Sequence, residues 1–285
     1  MYVNLRFLNI SGDIYIFNEV DYNVYKLSDK LCYLDIESEE EISAIVQYML
    51  ENEIIEESDV YERIFDCSSY VNICEIYVHN NSEENRNLYG IICKKYHIDN
   101  CTMAYREKLT EKIEHTMINF PQNLDVYMKL DYVIKSIFYD CKYNISDDKL
   151  ANLWIIWNQY KTYIKENLNE YQKSNYLDKL ISDIRKRRRR LFPCEWGQNK
   201  LYIKEGTLYR CEMCGENTIQ IDEVGSILSV DEHDRCKLCY ARYICGGLCS
   251  RKKEGIESLC ELICEIVDYL LELYIKKNSD IVIDI

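Results

Sequence analysis

Proline and glycine are scarce in this chain. Two prolines and nine glycines are spread over 285 residues, and seven of the glycines fall after residue 196. No low-complexity linker and no internal repeat can be picked out. Basic residues are also few relative to acidic ones. The net charge is −14 and the isoelectric point about 4.9, a balance that repels a polyanion and argues against nucleic acid as partner. No run of about 18 apolar residues occurs, so no membrane span is expected. The first residues lack an apolar stretch followed by a small-residue cleavage site, so no secretory signal is read and a cytoplasmic location is expected. Gly-rich phosphate loops, His-Glu-x-x-His and Gly-x-Ser-x-Gly are all missing. No Ser/His/Asp or Cys/His catalytic set emerges from the four histidines, and the catalytic residues are left unassigned.

Cysteine, by contrast, is abundant. There are fifteen, and nine lie between residues 194 and 264. They read Cys194-x11-Gly206-x4-Cys211, with Cys214 close behind. Cys236-x2-Cys239-x5-Cys245-x3-Cys249 follows, and then Cys260 and Cys264. In a reducing cytosol such density points away from structural disulfides and toward soft-metal ligation by thiolates. Cys211/Cys214 and Cys236/Cys239 are Cys-x2-Cys pairs separated by 21 residues. Those four alone would suit a zinc ribbon. That leaves Cys194, Cys245, Cys249, Cys260 and Cys264 unexplained. Gly246 and Gly247, between two candidate ligands, let backbone approach a bulky cluster and turn amide N–H groups toward its sulfurs. An iron–sulfur site is therefore preferred, with zinc as the alternative. His233 lies just before Cys236 and reads as a surface residue more than a ligand.

The spacing from Cys194 to Cys264, with Leu201-Tyr202-Ile203 ahead of Gly206 and Tyr243-Ile244-Cys245-Gly246-Gly247, resembles the SPASM domain. That domain is the C-terminal extension of many radical SAM peptide-modifying enzymes. The resemblance covers about residues 192–270. It implies two auxiliary [4Fe–4S] clusters. Cys194, Cys211 and Cys249 would serve the first, with Cys214 as candidate fourth ligand or an open iron. Cys236, Cys239 and Cys245 would serve the second, closed by Cys260 or Cys264. The last two stand four residues apart on a helical stretch and share a face.

The Cys-x3-Cys-x2-Cys motif of the radical SAM cluster itself is missing, so no SAM-binding residue is assigned and an independent radical SAM enzyme is not expected. Length agrees. A six-unit βα barrel needs roughly 180–200 residues, and only about 125 separate the N-terminal segment from Cys194. Cys32, Cys67, Cys74, Cys93, Cys101 and Cys141 read as ordinary buried residues.

The expected fold class is α/β of the mixed α+β kind, in three parts. Residues 1–60 form a small winged-helix-like module of the peptide-recognition type: a hairpin turning at Ser11-Gly12-Asp13, a further strand, and a helix opened by Glu39-Glu40-Glu41 and running to Asn52. The resemblance implies that such a module can bind a leader peptide along a strand edge; a packing domain without ligand is the alternative. Residues 61–191 form a degenerate partial βα barrel, with strands at 70–79 and Leu124–Leu130 and helices at 84–97, Lys149–Tyr163 and about 166–190. Residues 192–285 form the iron–sulfur domain with a C-terminal helix. Trp154 and Trp157 at helical spacing read as core. The run Arg185–Arg190 reads as a solvated or internally paired helix end. The expected role is in maturation of a ribosomally made peptide, as electron relay or docking partner, with the precursor peptide or a modifying enzyme as partner. The alternatives are a zinc-stabilised binding module without redox role and a component of an active radical SAM-type enzyme.

Overall fold

The computed structural model describes residues 4–28, 38–60, 75–96, 98, 102–105, 126–139, 145–166, 175–192, 200–209, 218–223, 230, 233–247, 255–277 and 282–285. In chain order the strands are β1 (Leu5–Ile10), β2 (Asp13–Asn18), β3 (Val24–Lys26), β4 (Glu75–Val78), β5 (Thr102–Tyr105), β6 (Lys200–Lys204), β7 (Thr207–Tyr209) and β8 (Val282–Asp284). The α-helices are α1 (Glu39–Glu51), α2 (Glu57–Val60), α3 (Glu83–Lys95), α4 (Val126–Phe138), α5 (Asp147–Glu166), α6 (Asn175–Arg185), α7 (Arg242–Cys245) and α8 (Ile256–Lys277). The fold is mixed α+β, with two small sheets that each combine parallel and antiparallel pairs. Two compact units are interleaved along the chain. One takes residues 1–65, 125–193 and 230–285; the other takes 66–124 and 194–229.

The first unit carries the sheet β1-β2-β3-β8. Ser11 and Gly12 both have positive φ, 58° and 96°, between the paired residues Ile10 and Asp13. This is the two-residue turn whose twist matches the hairpin strands. Ser38 caps α1, its Oγ accepting from the Glu41 N–H, and three glutamates fill the first turn where the helix dipole favours anions. Ile45, Val46 and Met49 of α1 then bury against Ile14, Ile16, Tyr25 and Leu27 of the sheet. The core of this sheet and helix draws its buried residues from Leu5 to Val60, and Ile285 packs against it.

Helices α4, α5, α6 and α8 complete the unit. Trp157 of α5 is fully buried, and its Nε1–H donates to Glu265 of α8 at 3.1 Å. Lys161 also pairs with Glu265. Trp154 is half-buried and donates to Ser258 Oγ at 3.1 Å. Both tryptophans therefore tie α5 to α8.

Two expectations are corrected here. The strand expected at Leu124–Leu130 is helical from Val126 onward. Leu130, Val133, Ile134 and Ile137 recur at helical spacing and are buried together, and that longer period outweighs the short alternation before it. The helix expected over 166–190 is described from Asn175 and ends at Arg185. Arg187 adopts φ 54°. Its N–H donates to Ile184 O, and the Arg188 N–H to Asp183 O, both at 2.9 Å, which is a Schellman closure built on arginine instead of glycine. The basic run divides: residues 185–188 are exposed, with Arg187 donating to Asn23 at 3.0 Å, whereas the half-buried Arg190 reaches Asp183 at 3.1 Å and the Phe138 carbonyl at 2.7 Å.

The second unit carries the sheet β5-β4-β6-β7. Strands β4 and β5 are parallel and joined through α3, a βαβ unit. β6 lies parallel to β4 on its other side and turns back into β7. Glu205 and Gly206, at φ 52° and 68°, make a second two-residue turn of the same type. Gly206 therefore serves hairpin geometry, and Asn85 Oδ1 accepts its N–H at 2.8 Å. Of the strand expected at 70–79, residues 75–78 are a strand and 70–74 lie outside the described residues.

Candidate metal centre

Five of the nine candidate ligands are described, and all five belong to the first unit. Cys194, Cys211, Cys214 and Cys249 lie outside the described residues. Cys236 and Cys239 sit on consecutive tight turns. The Cys236 N–H donates to His233 O at 2.8 Å, the Cys239 N–H to Cys236 O at 2.8 Å, and the Arg242 N–H to Cys239 O at 3.2 Å. The single-turn helix α7 follows and ends in Cys245. Gly246 closes it in the left-handed conformation, its N–H on Arg242 O. Cys260 and Cys264 project from α8, one turn apart. Cys236 and Cys245 are buried; Cys239, Cys260 and Cys264 are half-buried; none is in a disulfide.

The structure brings Cys239 and Cys264 near enough for their thiols to interact. The contact pushes the Cys264 thiol below its ordinary range, against the opposing effect of burial. Cys239 moves well above that range through the same contact and then through burial. Cys260 is near enough for its charge to raise Cys264. The Tyr240 phenol reaches the Cys264 carbonyl at 3.3 Å and also its sulfur. Arg6 lies 4.2 Å above the Tyr240 ring and forks onto Asp268 at 3.0 and 2.8 Å. Arg242, 1% exposed, donates to Lys237 O at 2.9 Å and to Asn4 Oδ1, and its charge draws the Cys239 thiol downward.

The two glycines divide their work. An added Cβ at Gly247 would lie 3.7 Å from the Cys236 sulfur, and at Gly246 it would lie 2.6 Å from the Phe192 carbonyl. Of the two, Gly247 is the one that borders a cysteine sulfur, at ordinary contact distance, and its close neighbour is Val230 Cγ1 at 2.9 Å. His233 has its Nδ1 at 3.4 Å from the Arg235 N–H and its carbonyl on the Cys236 and Lys237 amides, which makes it a turn-former at this loop.

As a test of fit, the donors are soft thiols suited to iron–sulfur or zinc. Cys239 and Cys264 lie near each other, and Gly247 borders Cys236. Among the described residues no three Cys, His, Asp or Glu side chains converge as a ready metal group. Arg6, Tyr240, Asp268 and Arg242 were not singled out from sequence. Asp268 at four residues past Cys264 and Tyr240 next to Cys239 carried a positional signal; Arg6, 262 residues from its partner, carried none.

Comparison with family models, with curated proteins and with solved structures found no match. No helix among the described residues is long and apolar enough to cross a membrane.

Proposed function

We propose that this chain is an iron–sulfur protein of SPASM type, without a radical SAM cluster of its own, that serves maturation of a ribosomally made peptide as electron relay or docking partner. The observation that carries the reading is the meeting of Cys239 and Cys264. A Cys-x2-Cys loop and a cysteine 25 residues later on a helix supply thiols to one place, in the order the SPASM spacing requires. The pairing favours Cys264 over Cys260 as the ligand closing the second cluster, with Cys236 and Cys245 on the same loop. Cys194, Cys211 and Cys249, with Cys214, would hold the first. The bound clusters would supply one-electron chemistry at potentials set by burial and hydrogen bonding; Tyr240 and Arg6 are placed to provide such bonding and charge at Cys264.

The finer fold reading has its own support. The core drawn from residues 5–60 suits a small winged-helix-like module. The parallel β4-α3-β5 unit suits a short βα barrel remnant.

Anaerobic purification with iron, sulfide and zinc analysis is the test. About eight irons and eight sulfides per chain support two clusters. One or two zinc ions without sulfide, reproduced in iron-replete expression, overturn the redox reading in favour of a zinc-stabilised module.

A further inference from the structure

The run Arg185–Arg190 has no part in the cysteine site. It sets six consecutive cations in a chain of 49 acidic and 35 basic residues, where a surface cation meets carboxylates readily. Arg185, Lys186, Arg187 and Arg188 are all exposed. Among the described residues one carboxylate meets any of these four: Asp183, 3.6 Å from Arg188 and shared with Arg190 at 3.1 Å. Arg187 donates to a neutral amide, Asn23 Oδ1, at 3.0 Å. The main chain of the run is nonetheless fixed. The Arg187 N–H donates to Ile184 O and the Arg188 N–H to Asp183 O, both at 2.9 Å, and the Arg190 N–H donates to Tyr243 O at 2.8 Å. Arg187 closes α6 at φ 54°, a conformation that glycine adopts without strain. Tyr22, 3% exposed, brings its hydroxyl to the Arg188 carbonyl at 3.5 Å. The dipole of α6 favours a cation in its last turn, which accounts for Arg185 and leaves the three cations past the helix end unexplained.

We propose that Arg185–Arg188 is a docking surface for a short acidic segment of a peptide or protein partner. Three of the four cations are arginines, whose planar forks bind carboxylates through two bonds at once. Their backbone is ordered before the partner arrives, so less freedom is lost on binding than on a mobile loop. The size of the patch selects the occupant. Consecutive Cα atoms stand 3.8 Å apart, so four residues span at most roughly 11 Å, close to the screening length of roughly 8 Å at physiological salt. A short run of Asp or Glu meets the patch alone. A long polyanion or an anionic membrane extends past it over a chain of net charge −14, which repels it. The inference takes from the reading above only that a peptide or protein partner exists; the charge and geometry of the patch stand without the metal site.

The probe is a labelled hexaglutamate peptide, with labelled hexaglutamine and a labelled single-stranded oligouridylate beside it. Binding to the full chain is read by fluorescence anisotropy. The test protein carries Arg185→Gln, Lys186→Gln and Arg188→Gln, with Arg187 left in place to close the helix. A control protein carries Lys94→Gln, Lys135→Gln and Lys276→Gln, three exposed cations outside the run, and so has the same net charge. An exposed ion pair contributes roughly two- to threefold to a binding constant. The test protein is therefore expected to bind hexaglutamate roughly ten- to thirtyfold more weakly than the parent, and the control protein within about twofold of it. Arg185→Gln alone moves binding the same way by roughly two- to threefold without touching the turn, which keeps the comparison open should the triple substitution unfold the chain. Added salt weakens hexaglutamate binding to the parent, and hexaglutamine does not bind. Equal loss in test and control proteins, unchanged binding in the test protein, or no hexaglutamate binding to the parent overturns the proposal. Oligouridylate binding more tightly than hexaglutamate at equal salt gives the patch to nucleic acid and overturns it too. Iron and sulfide analysis of the same preparations reports on the metal reading separately, so either can fail alone.

Discussion

Replacing Gly246 and Gly247 one at a time by alanine separates packing from metal chemistry at the cysteine loop. Both glycines have left-handed φ, 76° and 83°, where an L-residue costs about 1–2 kcal/mol. Both substitutions also stiffen the unfolded chain, returning about 0.4–1 kcal/mol. The difference lies in what the new methyl meets. At residue 246 it falls 2.6 Å from the Phe192 carbonyl oxygen and 3.1 Å from Arg190 Cβ. The first is backbone and cannot rotate away, so overpacking adds about 1–3 kcal/mol. At residue 247 the tightest neighbour is Val230 Cγ1 at 2.9 Å, the end of a side chain that relieves the clash for about 0.5–1.5 kcal/mol by leaving its rotamer. G246A is therefore expected to lose about 3 kcal/mol and G247A about 2 kcal/mol. At about 2–4 °C per kcal/mol for a chain of this size, thermal melting followed by far-UV circular dichroism should show a drop of about 6–12 °C for G246A and about 4–8 °C for G247A. Metal content should follow the other order under the thiolate-site reading, because of the two methyls only that at residue 247 touches the Cys236 sulfur, at 3.7 Å. A G246A protein melting within about 1 °C of the parent, or below which G247A melts, would refute the placement of this loop.

Three further outcomes are expected. Arg242→Ala strips partners from Asn4 Oδ1 and the Lys237 carbonyl in a buried setting and should cost about 3 kcal/mol, with Arg242→Lys recovering little because it lacks the fork; urea denaturation measures both. Cys264→Ala should lose about four of eight irons while Cys260→Ala keeps them, and the reverse pattern on elemental analysis moves the closing ligand to Cys260. Burial raises the Tyr22 and Tyr139 phenols above their ordinary range; since the folded values exceed the unfolded ones, their contribution to stability is complete below about pH 10 and is lost as pH rises beyond it. Stability against urea should then fall above pH 10, and Tyr22→Phe should flatten that fall, as followed by tyrosinate absorbance.

The fold was legible where one periodicity or one turn signal acted alone. Ser11-Gly12-Asp13 and the run Glu39-Glu40-Glu41 each mark their element within three residues, and both are found as a hairpin turn and a helix start, whereas the Ser38 cap was not singled out. Leu124–Leu130 misled because seven residues of apolar character suit a strand or the first turns of a helix; the evidence that separates them, Val133, Ile134 and Ile137, lies downstream of that window. The end of α6 was hidden for a related reason. A helix closing on Arg187 in the left-handed region gives none of the glycine signal on which stop rules depend; its main-chain bonds to Ile184 and Asp183 close it, and Arg187 also reaches Asn23, 164 residues away. At the cysteine loop, the resemblance implied that Cys239 shares a site with Cys260 or Cys264 and left those two undecided, because both stand on one face of the helix. It was silent on Arg6 and Asn4, which reach that loop from the first strand region through tertiary packing.

Those two residues show how β1 holds the cysteine loop. Within the first unit, Asn4 accepts from Arg242, which stands on the turn of helix between Cys239 and Cys245. Two residues on, Arg6 of β1 binds Asp268 and covers Tyr240, whose hydroxyl reaches the Cys264 carbonyl. The N-terminal strand therefore brings a positive charge to the side of the loop where Cys264 lies. Charge and hydrogen bonding near the thiolates are two of the quantities that set the potential of a thiolate-bound cluster. Under the iron–sulfur reading, Arg6→Ala removes that charge and should lower the cluster potential measured by redox titration while leaving iron content unchanged. A potential that does not move would refute the role given to Arg6.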